Sequence, residues 1–252
     1  MFNTGGDPAV EEDCVKSALE RGVEGIIFAT MYHRAVKLPK NALRLPLVLV
    51  DCFTRDGAVK GVVPDESNGG FAATRLLLEK GHRRIAMINA DKKYPAAAGR
   101  YQGYQRALRQ FRVPLEPELV RTGGWWQDDG YEHALALLKM QQVPTAIFCA
   151  SDRIALGAYD ALKEKGFRIP EDISIVGFDN QELLAAHARP PLTTMQIPYF
   201  EMGFWAVKQL IDANEDEDKT GAGLTKLECP LIERASVDSP PLKREPQRKK
   251  KR

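Results

Sequence analysis

Five places in the chain put a polar or aromatic side chain just beyond an apolar run. Asp51 follows "LVLV", the "INADKKY" loop follows "IAM", Trp125 follows Gly123-Gly124, Ser151-Asp152 follows "IFCA", and Asp179 follows "IVGF". Carboxylates accept hydrogen bonds, a serine hydroxyl both donates and accepts, and an indole packs against a flat ring. That is the chemistry of holding a small molecule. A strand-end Ser or Asp can also cap the helix that follows, satisfying its free N–H groups for ~1 kcal/mol. For Asp152 taken singly, capping is the simpler reading. Several such groups on one edge of a sheet together point to a ligand site.

Nothing comparable points to catalysis. The chain has no G-x-S-x-G elbow, no H-E-x-x-H, no Walker A loop and no G-x-G-x-x-G after a strand. Gly69-Gly70 and Gly123-Gly124 lack that context and read as turn and loop glycines. His33, His82, His133 and His187 are isolated, His82 reading as a helix-exit residue and His133 as a helix-face residue. Cys14, Cys52, Cys149 and Cys229 lie far apart without a C-x-x-C pair, so neither a zinc site nor a disulfide framework is indicated. No cofactor and no metal are expected, and the cysteine usage fits a reduced, cytoplasmic setting.

The elements that must position these groups alternate between apolar runs and amphipathic segments. Helices are expected over Pro8–Arg21, Glu66–Lys80, Gly99–Phe111, Asp128–Lys139, Arg153–Lys165 and Tyr199–Ala213. Gly81 ends the second of these as a left-handed cap would. Strands are expected at "VEGIIFAT", "LPLVLVDCF", "KGVVPD", "RRIAMINA", "TAIFCA", "DISIVGFDN" and Leu227–Glu233. "GIIFA", "LVLVD" and "AIFCA" are apolar throughout, which predicts burial on both faces of a parallel sheet covered by helices. The fold class is α/β. In such sheets ligands bind beyond the carboxyl ends of the strands, where the five polar places fall.

Composition agrees with a folded core: 44% of the 252 residues are apolar and 28% charged. The net charge of +2 is uneven. "KREPQRKKKR", Lys243 to Arg252, holds seven basic residues and one Glu, a local +6 that leaves −4 for the rest. Pro240, Pro241 and Pro246 favour a disordered, solvated tail over 238–252, with weak salt-sensitive contact to nucleic acid or an anionic surface as the alternative. No run approaches the ~18–20 apolar residues of a membrane span, and no membrane partner is expected.

Four stretches carry a resemblance. "GHRRIAMI", "AGRYQGYQRAL", "PTAIFCASDRIALGAYDALKEKGFRIPEDISIVGFDN" and "RPPLTTMQIPYFEMGFWAV" are similar, in order and spacing, to the effector-binding core of LacI/GalR transcriptional regulators. The resemblance runs from about Asn3 to Val237. It implies a periplasmic-binding-protein-like fold of two doubly wound parallel-sheet subdomains around a cleft, with chain crossings near Pro64-Asp65, Pro191–Met195 and Gly221–Leu224. The implied division is 1–64 plus 194–222, then 65–193 plus 223–237. It also implies a small effector, lobe closure coupled to DNA binding, and a homodimer in the full-length regulator.

By motif, Asp51 and Asp179 match positions that accept sugar hydroxyls. Arg100 matches the ligand-binding arginine, Trp125 an aromatic that packs on the ligand, and Tyr199 an aromatic of the hinge-proximal wall. Ser151-Asp152 stands where the family commonly has Asn-Asp, and serine is shorter and lacks the amide donor. The set suggests a polyhydroxylated effector, a sugar rather than a purine.

The chain departs from the family at its start. The helix-turn-helix head that reads operator DNA, the first core strand, the first core helix and most of the second strand have no counterpart here. The N-terminal subdomain is therefore expected to be incomplete, with the edge of "GIIFAT" exposed where an interior strand would pair. A fragment or wrongly started reading frame, a natural truncation and a laboratory truncation all fit. As it stands, operator DNA is expected to be bound only through a head absent from these residues. A stand-alone sugar-binding protein of the same fold is the alternative function. An enzyme is disfavoured by the absent motifs.

Overall fold

The computed structural model describes residues 1–215 and 222–241. In chain order its first elements are α1 (Pro8–Glu20), β1 (Ile26–Ala35), β2 (Leu47–Phe53), β3 (Gly61–Pro64), α2 (Glu66–Glu79), β4 (Ile85–Ala90), α3 (Pro95–Gln110) and β5 (Val120–Gly123). There follow α4 (Gln127–Leu138), β6 (Ala146–Cys149), α5 (Asp152–Glu164), β7 (Ser174–Asp179), α6 (Glu182–Ala185), β8 (Thr193–Gln196), α7 (Tyr199–Glu215), β9 (Leu224–Leu227) and β10 (Leu231–Ile232). Two compact units form. One holds Met1–Glu66, Lys92–Ala98 and Ile197–Cys229, and the other Ser67–Asp91, Gly99–Gln196 and the residues from Pro230.

The first unit is built on a parallel sheet of order β1-β2-β3-β9. Helix α1 starts where Asp7 accepts from the Ala9 and Val10 N–H groups at 2.8 and 3.4 Å, with Pro8 in the first turn. Helix α7 packs on β2 and β3. β1 forms the rim and pairs directly with β2, Ile26 opposite Leu47. The expected burial of "GIIFA" on both faces does not hold: Ile27 is 41% exposed, and Met31, further along the same strand, 92%. A rim strand has one unpaired edge, and its burial here alternates.

The second unit carries a sheet of order β10-β8-β7-β6-β4-β5, parallel except for the β10–β8 pair. Its central strands are buried throughout, as the continuous apolar runs require. The Cys149 thiol at its centre is fully buried, and burial pushes its pKa up, as it pushes the Cys52 thiol of the first unit to about 12. Helices α2 and α3 cross at two glycines. A Cβ on Gly70 would lie 2.3 Å from the Arg100 carbonyl oxygen, and one on Gly103 2.2 Å from that of Ser67. The pair Gly69-Gly70, read as a turn, thus lies inside a helix, where Gly70 lets α3 approach.

The expected division of the chain shifts at four places, two of them residues 65–66 and 92–98, which fall in the first unit. Residues 194–196 belong with the second unit because β8 pairs with β7, and 223–229 with the first because β9 pairs with β3. The single strand expected over Leu227–Glu233 is two short strands in different sheets. His82, expected only to leave a helix, is buried. Its Nδ1 lies 2.9 Å from the Thr145 hydroxyl and its Nε2 2.8 Å from the Asp238 carbonyl. Asp238, the first residue of the expected tail, is therefore held by the second unit, where its N–H also donates to Ser174 Oγ at 3.1 Å. Residues 242–252 of that tail, and Gly221 of the expected crossing, lie outside the described residues. No described helix is long and apolar enough to cross a membrane.

Candidate functional site

Arg100 organises the carboxyl ends of the second sheet. Helix α3 carries it into the protein, where it is only 2% exposed. Its guanidinium lies flat against Phe178, 3.7 Å from the ring centre, and 5.5 Å from the Trp125 ring on the β5–α4 loop. Stacking of this kind desolvates a cation without leaving it unsatisfied. One terminal nitrogen, Nη1, donates to the Ala150 carbonyl at the end of β6 and to Asp179 Oδ1, 3.3 Å away at the end of β7. Three strand ends thus converge on one side chain.

Asp179 has φ of 113° and the next residue, Asn180, 51°, both in the left-handed region that non-glycine residues seldom occupy. Asn180 is tied down by Arg234 at 2.8 Å and by donation to Gln196 at 3.1 Å. Strained backbone held by its surroundings gathers at functional sites.

Ser151 and Asp152 divide the roles that the sequence assigned to both. Ser151 is the cap of α5, its hydroxyl oxygen accepting from the Ile154 N–H at 3.2 Å. Asp152 caps nothing. Wholly buried, it accepts from the Thr194 hydroxyl at 2.6 Å and the Gln181 N–H at 2.7 Å, tying β8 and the β7–α6 turn to α5. Burial, and then the nearby charge of Asp179, raise its pKa to about 7, against the two donors and Arg100. Capping is the wrong reading because the carboxylate points across the sheet ends rather than along its own helix.

Trp125 and its neighbour Trp126 are presented by a clamp. The Asp129 carboxylate accepts from the Gly124 N–H at 2.7 Å and the Trp126 N–H at 3.1 Å. A Cβ on Gly123 or Gly124 would fall within 2.8 Å of that carboxylate, so the glycine pair serves close approach.

Asp51 and Tyr199 belong to the first unit. Asp51 is 3% exposed and lies inside β2 rather than beyond it, at φ of 57°, where the pairing with β1 shifts register between Ala29 and Arg34. Its carbonyl accepts from the Thr30 hydroxyl at 2.9 Å. Tyr199 opens α7 and is 55% exposed. Of the seven residues singled out from sequence, Arg100, Trp125, Asp152 and Asp179 come together in one cluster with Ser151 beside them. Phe178, Gln181, Thr194 and Asp129 complete it and were not foreseen. "GFDNQ" and "PPLTT" flank the right positions, but no local pattern distinguishes them. Among the described residues no group of His, Cys, Asp or Glu side chains is placed to hold a metal ion.

A family model for the periplasmic binding protein-like domain matches residues 74–237. The ribose operon repressor of Haemophilus influenzae is 33% identical over 239 residues, covering 95% of this chain and 71% of that protein. The chain belongs to the LacI family of transcriptional regulators. Within that family it is also similar to the HTH-type transcriptional repressor PurR of Vibrio atlanticus, at 31% identity over 94% of the chain and 71% of the relative. A crystal structure of a LacI-family regulator from Rhizobium etli superposes with a TM-score of 0.85 at 30% identity, over 94% of this chain and 86% of that one. The described fold is thus the family's effector-binding core, and these relatives are regulators rather than enzymes.

Proposed function

We propose that the chain is the effector-binding core of a cytoplasmic LacI-type repressor and that its effector is a sugar. Within the second unit, Arg100, Trp125, Ser151, Asp152 and Asp179 hold the effector. The observation that carries this reading is the Arg100 cluster: a buried guanidinium stacked on Phe178 beside a half-buried indole and two carboxylates. Sugar hydroxyls donate to carboxylates and accept from a guanidinium, while the apolar face of the ring packs on the indole. The relatives' names do not choose the ligand, since a ribose operon repressor and a PurR are about equally similar. The acceptor-rich cluster favours hydroxyl donors. In the full-length regulator two copies pair, and a helix-turn-helix head, as in the PurR relative's name, contacts operator DNA.

A thermal-shift screen of pentoses, hexoses and disaccharides against nucleobases tests this. A ligand at 100 times its Kd adds about 2.7 kcal/mol, a rise of several degrees in Tm. Sugars are expected to raise Tm and nucleobases not; the reverse pattern refutes the reading.

A further inference from the structure

Helix α3 turns Arg100 and Tyr104 into the protein, and Gln102, Arg106, Arg109 and Gln110 out of it. On that outer side, within the second unit, lies an open groove of about 540 Å³ lined by Ser67, Gln102, Arg106, Arg109 and Gln110. It shares no residue with the Arg100 cluster. Every lining side chain can donate a hydrogen bond, and none is acidic.

Arg106 is already held in place. Its guanidinium lies 4.5 Å from the centre of the Phe71 ring, and its Nη2 donates to Asn68 Oδ1 at 2.6 Å. A side chain ordered beforehand gives up less freedom when it binds. The positive charge of the groove is also uncompensated. Arg75 on α2 pairs with Glu79 at 3.5 Å, whereas among the described residues neither Arg106 nor Arg109 pairs with a carboxylate. Like charges three positions apart on a helix repel, and an anion seated between them relieves the repulsion. Outside its basic tail the chain carries a net −4, so this cationic hollow runs against the charge of the body.

We propose that the groove binds a phosphate group, free or carried on a small metabolite, as a second ligand of the repressor core. A phosphate offers three acceptor oxygens and close to two negative charges. The two guanidinium forks suit its oxygens in pairs, and the Ser67 hydroxyl and the Gln102 and Gln110 amides supply further donors. A carboxylate, with two oxygens and one charge, leaves part of this donor set unused.

Isothermal titration calorimetry of the full chain with pyrophosphate at low ionic strength tests the site. Arg106→Gln and Arg109→Gln are each expected to weaken binding about tenfold, since each removes a charge-assisted pair. Arg109 is exposed and its side chain makes no hydrogen bond among the described residues, so Arg109→Gln leaves the fold intact. Arg75→Gln, on the same pair of helices but outside the groove, keeps wild-type affinity. So does the double variant Lys249→Gln, Lys250→Gln in the basic tail. A wild-type chain that binds no pyrophosphate overturns the proposal. Equal losses in Arg75→Gln and Arg109→Gln do the same, as does binding lost in the tail variant but kept in Arg109→Gln. Succinate binding as tightly as inorganic phosphate overturns the choice of ligand. Glycerol 3-phosphate binding more tightly than inorganic phosphate identifies the occupant as a phosphate ester, and the reverse order as the free anion.

Discussion

Replacing Arg100 with Ala probes the centre of the cluster. The guanidinium is 2% exposed, packs on Phe178 at 3.7 Å, and is the cation beside Asp179 and Asp152. The family motif marks it only as a ligand-binding group, whose loss on that ground alone would spare the fold. Its burial argues otherwise. Removing one partner of a buried ion pair costs about 3–5 kcal/mol, because the remaining charge stays buried without compensation. In a protein whose total stability is of order 5–15 kcal/mol, that lowers Tm by roughly 6–20 °C. The loss also depends on pH. Without Arg100 the Asp152 carboxyl rises further in pKa and takes up a proton in the folded state. A folded-state pKa raised above its unfolded value makes stability fall as pH rises through the interval between them. The deficit of Arg100→Ala is therefore smaller at pH 5 than at pH 8. Thermal unfolding followed by circular dichroism at both values measures it. A Tm within about 2 °C of the wild type, or a deficit equal at both pH values, refutes the argument. A double-mutant cycle with Asp179→Asn is expected to return a coupling of about 1–3 kcal/mol.

Asp152→Asn removes a group whose pKa stands at about 7 in the fold. Wild-type stability is expected to fall between about pH 4 and pH 7, by an amount on the order of 4 kcal/mol, and then to level off. The variant flattens that slope, and urea midpoints across the range read it. Gly70→Ala puts a methyl 2.3 Å from the Arg100 carbonyl oxygen, so α2 and α3 must separate. Its cost is about 1–3 kcal/mol by denaturant titration, with weaker ligand binding because Arg100 moves with α3.

Local pattern was enough to place most elements. Helices α1, α2, α4 and α5 lie within a residue or so of their expected ends, since their caps and apolar stripes are written in neighbouring residues. Helix α3 begins four residues before its expected start because Pro95 suits a first turn and the alanines at 96–98 continue it. Strand β8 escaped notice because "TTMQ" carries no continuous apolar run. Its burial comes from β7 on one side and β10 on the other.

For the site, strand-end polarity and the family motifs were sufficient to single out Arg100, Trp125, Ser151, Asp152 and Asp179. What each does was not legible. Whether Asp152 caps a helix or braces Thr194 and Gln181 depends on where residues 42 and 29 positions away arrive in space. The raised pKa of that carboxyl, the stacking of Arg100 on Phe178, and the split of residues 224–232 between two sheets have the same origin. Residue types and their spacing determined the α/β alternation, because backbone preference and amphipathic period act over a few neighbours. The partners of the buried polar groups were decided only by tertiary packing, because desolvation and ion pairing depend on distances between segments far apart in the chain.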